Sequence, residues 1–346
     1  GEILFEGTLD ELMESGTCTG EMMSRNLPFK NVVRQPKGHF RIEHATLHNL
    51  KDVCVDLPLG LLCVVAGVAG SGKSSLMDFF RRSYHAPDNI VHVSQKNLGV
   101  SLRSTPATYI DVAGDIRKLF AKKNKAKEEM FTFNGKGACP VCGGKGVIVS
   151  EMAFMDNIET ICEACSGLRY SNEALSFSLV SDTTKERLNI AQAMNLTVRL
   201  ASRFFCGTDI ENKLRPLMDV GLGYLHLNQA LSTLSGGELQ RLKLASFLGK
   251  QAVHSKIFII DEPTDGLHAK DIEGILRVFD KMVEDGNSVF LVEHNVDVIR
   301  RADYAVELGP GAGESGGMVV FQGTPKEMAA CQHSITGKYL KVESIK

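Results

Sequence analysis

The chain has 346 residues, 43% of them hydrophobic and 23% charged, with a formal net charge of −2. This balance supplies apolar surface for two or three domains' worth of core. It excludes both a disordered chain and one drawn to nucleic acid by bulk charge. No apolar run approaches the roughly 20 residues of a membrane span and no signal peptide opens the sequence, so a cytoplasmic protein without a membrane partner is expected.

The opening GEILFEGTLDELM matches GMVVFQGTPKEMA near the end, in register. Gly1, Phe5, Gly7, Thr8 and Glu11 recur as Gly317, Phe321, Gly323, Thr324 and Glu327, and a Thr-Gly pair follows in both, at Thr19-Gly20 and Thr336-Gly337. One reading is a strand, turn and helix start shared by chance. The other takes residues 1–33 as the tail of a preceding homologous domain, which makes this chain the second half of a tandem repeat.

Strands are expected near 40–43, 52–56 and 61–66. The run LPLGLLCVVAGVAG reads as a buried strand leading into a loop. That loop, GVAGSGKS from Gly67 to Ser74, fits G-x-x-x-x-G-K-S in full, and the helix-like SSLMDFFRR follows it. Gly67, Gly70 and Gly72 let the amides around Ser71 turn inward on phosphate oxygens at the positive end of a helix. Lys73 can reach the β- and γ-phosphates, and Ser74, with Ser75 beside it, can hold Mg²⁺. ATP and Mg²⁺ are therefore the expected ligands of this first part of the core, residues 34–127.

A further strand near 90–93 leads to Gln95 in VSQKNLG, and RSTPATY (Arg103 to Tyr109) follows. The run RKLFAKKNKAK, Arg117 to Lys127, holds six basic residues in eleven. It is either a solvated helix face or a phosphate contact that would make nucleic-acid binding salt-dependent. Arg81, Arg82, Lys136, Lys145 and Arg169 are further candidates for such contacts.

Nine cysteines are present, and five of them, Cys18, Cys54, Cys63, Cys206 and Cys331, are scattered. An odd count without a disulfide framework points to a reducing compartment. The other four, Cys139, Cys142, Cys162 and Cys165, form C-x2-C-x19-C-x2-C, within the range of a four-cysteine zinc site. Each pair sits in a glycine-bearing turn that lets backbone amides approach sulfur. Protein would fill all four positions, so the site is structural rather than catalytic. A redox role would need only one pair. Zinc binding of roughly 10–16 kcal/mol would stabilise a lobe, about residues 128–171, too small for a core of its own.

In LSTLSGGELQRLKLASFL, Leu231 to Leu248, a Ser-Gly-Gly turn opens an amphipathic helix. Leu239, Leu242, Leu244, Ala245 and Leu248 fall largely on one face. Ser235, Gly236, Gly237 and Glu238 form a second anion site at a helix start, within a helical lobe expected over 172–250. KIFIIDEPTDGLH, in the last segment 251–346, is an apolar strand ending in two carboxylates. Asp261 suits the magnesium shell, and Glu262 is placed to orient or deprotonate the attacking water. Strands near 289–292 and 304–307 complete an α/β P-loop core.

At this point the chain resembles the ATP-binding cassette (ABC) family, whose signature is LSGGE-Q. The resemblance implies that the signature of one cassette closes over ATP held by the P-loop of another. It also assigns His294, in FLVEHN, as the switch histidine near the γ-phosphate and Gln95 as the link between metal and helical lobe. One P-loop and one signature complete no ATP site alone, so a second cassette or a second copy is required.

The inserted four-cysteine zinc lobe narrows the resemblance. RSTPATY, FTFNGKGACPVCGGKG, CEACSGLRY, LMDVGLGYLHL, TLSGGELQRLKLAS, DEPTDGLH and VEHNVDVIRRADYAVELGP together are similar to the second cassette of the UvrA family, the damage-recognition ATPases of bacterial excision repair. The resemblance implies two cassettes in one chain, a homodimer, binding of damaged double-stranded DNA under ATP control, and a UvrB-type excision partner. No acid or metal constellation for cutting DNA is evident in the sequence, so no nuclease activity of its own is expected and any strand cleavage would belong to partners. The chain departs from the family in two places. Only 20 residues separate Ser74 from Gln95, where a longer insertion is usual, and the segment before FTFN is lysine-rich. The alternatives are a UvrA-like paralogue that protects DNA from intercalating antibiotics, and an ABC ATPase of transport or translation.

Overall fold

The computed structural model describes residues 2–23, 27–94, 104–150, 158–249 and 254–341. Two compact units emerge, one formed by Gly1–Lys96 with Lys250–Lys346 and the other by Asn97–Gly249.

The first unit is built on a six-stranded sheet. Its strands are β3 (Leu62–Ala66), β4 (Ile90–Val93), β5 (Ile257–Asp261), β6 (Ser288–Val292), β7 (Tyr304–Gly309) and β8 (Met318–Gly323), after a separate antiparallel pair, β1 (Gly38–Ala45) and β2 (Val53–Leu59). The order across the sheet is β8-β7-β3-β6-β5-β4, parallel except for the edge strand β8. Central strands buried on both faces must be apolar throughout, and every residue of β3 and β6 is buried. The strands expected near 52–56 and 61–66 are present as β2 and β3, with β2 running on to Leu59. Gly60, at φ +78°, turns the chain between β2 and β3, a conformation glycine adopts without steric cost.

Helices cover the sheet. In Ala269–Glu284, Ile272, Ile275, Leu276, Phe279, Met282 and Val283 are buried, at the spacing of one helical face. In Lys73–Ser83, Leu76, Met77 and Phe80 are buried, and the Phe80 ring meets Phe40, Tyr84 and Phe290 at centroid distances of 5.0, 5.5 and 5.3 Å. Register brings three chain exits into line: Val65 and Asp261 both sit opposite Val292. The loops after β3, β5 and β6 therefore leave the sheet side by side at its carboxyl edge, where open α/β sheets bind ligands.

The opening segment repeats the closing one in three dimensions. Leu9–Glu14 and Pro325–Ala330 each start with a capping box, Thr8 with Glu11 and Thr324 with Glu327, and each leads to a second short helix, Cys18–Met23 or Ile335–Leu340. A Cβ on Gly7 or on Gly323 would strike the same pair of groups, a phenylalanine ring edge and the capping carboxylate. The strand part differs: β8 pairs with β7, whereas residues 2–7 form no strand and leave Ile3 and Leu4 exposed. Residues 27–34 are anchored by charge. Lys30 Nζ and Arg34 Nη1 both reach Asp280 (2.9 and 2.7 Å) and the fully buried Asp303 (3.0 Å each), and Asp303 also accepts from the Leu62 amide.

The second unit is mainly helical, with Val112–Asn124, Ile190–Met194, Val198–Phe204, Asp209–Asp219 and Gly236–Leu248 as its principal helices. Phe131 packs 5.5 Å from both Phe120 and Phe177 at its centre. The cysteine lobe leaves this core through a closed stem. Ala138 bridges Tyr170, the Cys139 amide donates to the Arg169 carbonyl at 2.9 Å, and a hairpin of Val147–Ser150 with Ile158–Ile161 extends beyond it. Among the described residues, no helix is long and apolar enough to cross a membrane.

Candidate functional site

The loop after β3 folds as a cradle. Gly67 has φ +134°, and a Cβ there would lie 2.1 Å from the Leu308 carbonyl oxygen, so only glycine fits. Gly72, at φ +104°, precedes the helix Lys73–Ser83 without a side-chain cap, and Gly70 has φ +75°. Two features fit this cradle to phosphate. The Ser71 Oγ is fully buried with no partner among the described residues, a costly state for a hydroxyl. The Lys73 ammonium lies along the loop, donating to the Gly67 and Val68 carbonyls at 2.8 and 2.9 Å. Burial pulls the Lys73 pKa down, and the charge of Glu262 opposes that pull. Ser74 is exposed at the helix start, while Ser75 Oγ donates to Asn49 Oδ1 at 3.4 Å. Asn49 in turn donates to the Gly70 carbonyl at 3.0 Å and so braces the loop from behind.

Asp261 and Glu262 line one cleft, and His294 approaches it through Glu262. The cleft has a volume of about 560 Å³, and Ser74, Asp78, Arg81 and His92 are also on its wall. Asp261 Oδ2 is 2.9 Å from His92 Nε2 on the neighbouring strand β4. Glu262 has φ +44°, a left-handed conformation rare for a side-chain-bearing residue, and its amide is held by the Val292 carbonyl at 2.8 Å. Its Oε1 stands 3.9 Å from His294 Nδ1, with both side chains open to solvent. Two carboxylates, an imidazole, an ammonium and a serine hydroxyl thus converge as a metal-assisted phosphoryl-transfer site requires. Gln95 lies outside the described residues.

In the second unit, Ser235 caps the helix Gly236–Leu248. Its Oγ accepts from the Glu238 amide at 3.3 Å, and the Ser235 amide donates to Glu238 Oε2 at 2.7 Å. The Glu238 side chain is further held by the Tyr224 hydroxyl at 2.5 Å. Ser235 and Gly236 are exposed and Gly237 half-buried, leaving this helix start open to a ligand. The helix itself differs from the expected one-sided stripe. Gln240 and Arg241 are buried along with Leu242, Leu244 and Ala245, whereas Leu239 and Leu248 are only half-buried. It is a helix packed on more than one side, which the leucine spacing alone does not reveal.

The four sulfurs of Cys139, Cys142, Cys162 and Cys165 are buried and lie within 4.8 Å of one another, Cys142 and Cys165 at 3.7 Å. Zn–S bonds of about 2.3 Å in a tetrahedron separate sulfurs by roughly 3.8 Å, so the set fits zinc. Burial disfavours a thiolate at Cys142, but the Gly146 amide at 3.3 Å and the neighbouring thiols outweigh it and lower its pKa. These cysteines form a buried cluster of their own. Ile148, Val149 and Ile161 of the hairpin are exposed. The lobe therefore has a metal-sized centre in place of an apolar core.

Among the basic candidates, Lys118, Lys122, Lys123, Lys125 and Lys127 are exposed along and just beyond Val112–Asn124, whereas Arg117 is half-buried and pairs with Glu128. Lys136 pairs with Glu129 at 3.1 Å, and Arg81 with Asp78 at 3.1 Å. Arg169 serves the stem: its guanidinium lies 3.7 Å from the Phe133 ring centroid, and its Nε donates to the Gly144 carbonyl.

No family model matches the chain. It is 39% identical over 373 aligned positions to the UvrABC system protein A of Halalkalibacterium halodurans and 41% identical over 373 positions to that of Staphylococcus aureus strain COL, with 99% of the chain aligned in both. The crystal structure of UvrA2 from Deinococcus radiodurans superposes on the whole chain with a TM-score of 0.85 at 36% identity. The chain is similar to UvrA proteins along its whole length. Its fold is the ABC-type P-loop core, with a helical signature lobe and an inserted four-cysteine lobe. It spans 38% and 39% of the two bacterial UvrA proteins and 45% of the UvrA2 chain. The aligned span exceeds the chain's 346 residues, so these UvrA proteins carry residues that this one lacks.

Three polar residues that brace these loops are not evident from motif spacing: Asn49 behind the P-loop, His92 on Asp261, and the buried Glu293, which accepts from the Thr264 amide at 3.1 Å. A signal existed only for Glu293, a carboxylate directly after a wholly apolar strand.

Proposed function

We propose that this chain is the second cassette of a longer, homodimeric UvrA-type protein that hydrolyses ATP to control its binding of damaged double-stranded DNA in nucleotide excision repair. The observation that carries the reading is the match to UvrABC system protein A over 99% of the chain, four-cysteine lobe included. The repeated capping-box segment at the chain's opening supports a preceding cassette.

On this reading Lys73 and the loop amides hold the phosphates of ATP, with the Ser71 hydroxyl as a further donor. Ser74 and Asp261 would hold Mg²⁺, which would supply neutralisation of the phosphate charge. Glu262 orients the attacking water, and His294 and Gln95 border the γ-phosphate. Ser235, Gly236, Gly237 and Glu238 present a helix start to ATP held by the other cassette, head to tail. Zinc on the four cysteines stiffens the inserted lobe. The exposed lysines of 118–127 supply phosphate contacts. A UvrB-type protein is the expected excision partner.

A second reading is a UvrA-like paralogue that shields DNA from intercalating drugs. It is favoured by the short path from Ser74 to Gln95, filled by one helix, the turn Pro87–Asn89 and β4. Steady-state ATPase of the intact protein, with and without duplex DNA, tests the shared core of both readings. Duplex-dependent turnover that Glu262→Gln abolishes is expected. Turnover indifferent to DNA would contradict it, and stimulation only by drug-loaded duplex would favour the paralogue.

A further inference from the structure

Strand β6 is apolar and buried along its length, yet the next residue is Glu293, whose side chain is fully buried. A carboxylate is tolerated there only if its lone pairs are filled. Four donors fill them, and they come from two different loops. Glu293 Oε1 accepts from the Thr264 amide at 3.1 Å and from the Thr264 hydroxyl by a short bond. Glu293 Oε2 accepts from the amides of His294 and Asn295 at 2.8 and 3.0 Å. The first loop carries Glu262, two residues before Thr264, and the second carries His294.

The backbone around this carboxylate is held at both ends. Glu262 adopts its left-handed φ of +44° between the Val292 carbonyl, which accepts its amide, and the Thr264 anchor. A conformation of that kind persists only where its surroundings over-determine it. On the other side the Asn295 side chain caps Val296–Arg301 through the amides of Asp297 and Val298, at 2.9 and 3.3 Å. Glu293 thus joins the exit of β5 to the exit of β6 and to the helix that follows.

We propose that Glu293 is a positioning residue of the ATPase site, a carboxylate bridge that fixes the separation between Glu262 and His294. The inference rests on the ATPase reading above. Glu293 touches no nucleotide on this account. It acts through the two loops, so its loss displaces reacting groups while leaving the phosphate cradle of Gly67–Lys73 in place. A misplacement of about 1 Å in such a site costs roughly a hundredfold in rate.

The test is steady-state ATPase and equilibrium binding of a fluorescent ATP analogue, on the intact protein carrying Glu293→Gln, Thr264→Val or Thr264→Ser. The glutamine keeps the shape but turns an amide N–H₂ toward one pair of donors. The bridge predicts that Glu293→Gln lowers kcat roughly 10- to 100-fold, with KM and analogue affinity within about threefold of wild type. Thr264→Val should lower kcat several-fold, and Thr264→Ser, which returns the hydroxyl, should recover it. Glu293→Gln and Thr264→Val at the wild-type kcat would overturn the inference, as would kcat and analogue affinity falling together. If circular dichroism shows Glu293→Gln unfolded, the threonine pair decides: recovery by serine supports the bridge, and equal rates for valine and serine overturn it. A wild-type protein that hydrolyses no ATP would instead refute the ATPase reading.

Discussion

Replacing Phe80 with alanine tests how the sheet holds the phosphate loop. Phe80 is fully buried two turns along the helix that starts at Lys73, and its ring contacts Phe40, Tyr84 and Phe290. Truncating a buried phenylalanine costs about 3–5 kcal/mol through lost transfer energy and the cavity left behind. Each edge or tilted ring pair adds about 0.5–1.5 kcal/mol beyond burial. With three such pairs, Phe80→Ala belongs at the upper end, about 4–5 kcal/mol, and Phe80→Leu at roughly a third of that. The chain has no tryptophan, so urea unfolding is followed by far-ultraviolet circular dichroism, and the midpoint shift at constant slope gives the loss. ATP affinity should fall in parallel, because Phe80 anchors the helix whose first turn carries Lys73 and Ser74, the proposed phosphate and Mg²⁺ residues. A loss under about 1 kcal/mol, or an unchanged ATP affinity in a strongly destabilised variant, would refute the reasoning.

Lys73→Ala removes both donations to the loop carbonyls and, on the proposed reading, the charge that faces the phosphates. At about 1.5–3 kcal/mol for each charged hydrogen bond, Mg-ATP affinity measured by calorimetry should fall at least about a hundredfold. Cys139→Ser combined with Cys142→Ser should lose about one zinc per chain by elemental analysis, and proteolysis should then cut first within 132–171, since the lobe's centre is the thiol cluster itself. Asp280→Asn should cost about 1–2 kcal/mol at neutral pH by stripping the negative charge from its bonds to Lys30 and Arg34. Although burial opposes it, those two partners hold the Asp280 pKa below its ordinary 3.8. The contribution is therefore present above that value, and the gap between wild type and variant should close as pH falls through the folded pKa.

The parts of this protein that local sequence can encode are legible without coordinates. The P-loop, the paired carboxylates after an apolar strand, the Ser-Gly-Gly helix start and the twin Cys-x-x-Cys pairs all lie within short windows. The strands at Leu62–Ala66, Ile257–Asp261 and Ser288–Val292 follow from apolar runs that only a doubly covered sheet can bury, and the edge strand Ile90–Val93 from a shorter, half-buried run. Contacts set by strand order are not legible. His92 meets Asp261 because β4 lies beside β5, and Glu293 reaches Thr264 because β6 lies beside β5. Nothing in their spacing, at separations of 169 and 29 residues, announces either contact. Arg169 reads as a phosphate contact from its charge, yet it stacks on Phe133 because the stem brings the two together. The signature helix misleads for a related reason: its leucines suggest one buried face, while Gln240 and Arg241 are buried beside them.

The central claim is that ATP controls the grip on distorted DNA, and fluorescence anisotropy of the intact protein tests it most directly. Labelled duplexes with and without a bulky adduct would be titrated in ATP and in ADP across a salt series. The account predicts tighter binding to the adduct duplex, a preference that changes between ATP and ADP, and affinity that falls as salt rises. Equal binding to both duplexes in both nucleotides, or no duplex binding at any salt with ATPase activity intact, would contradict it.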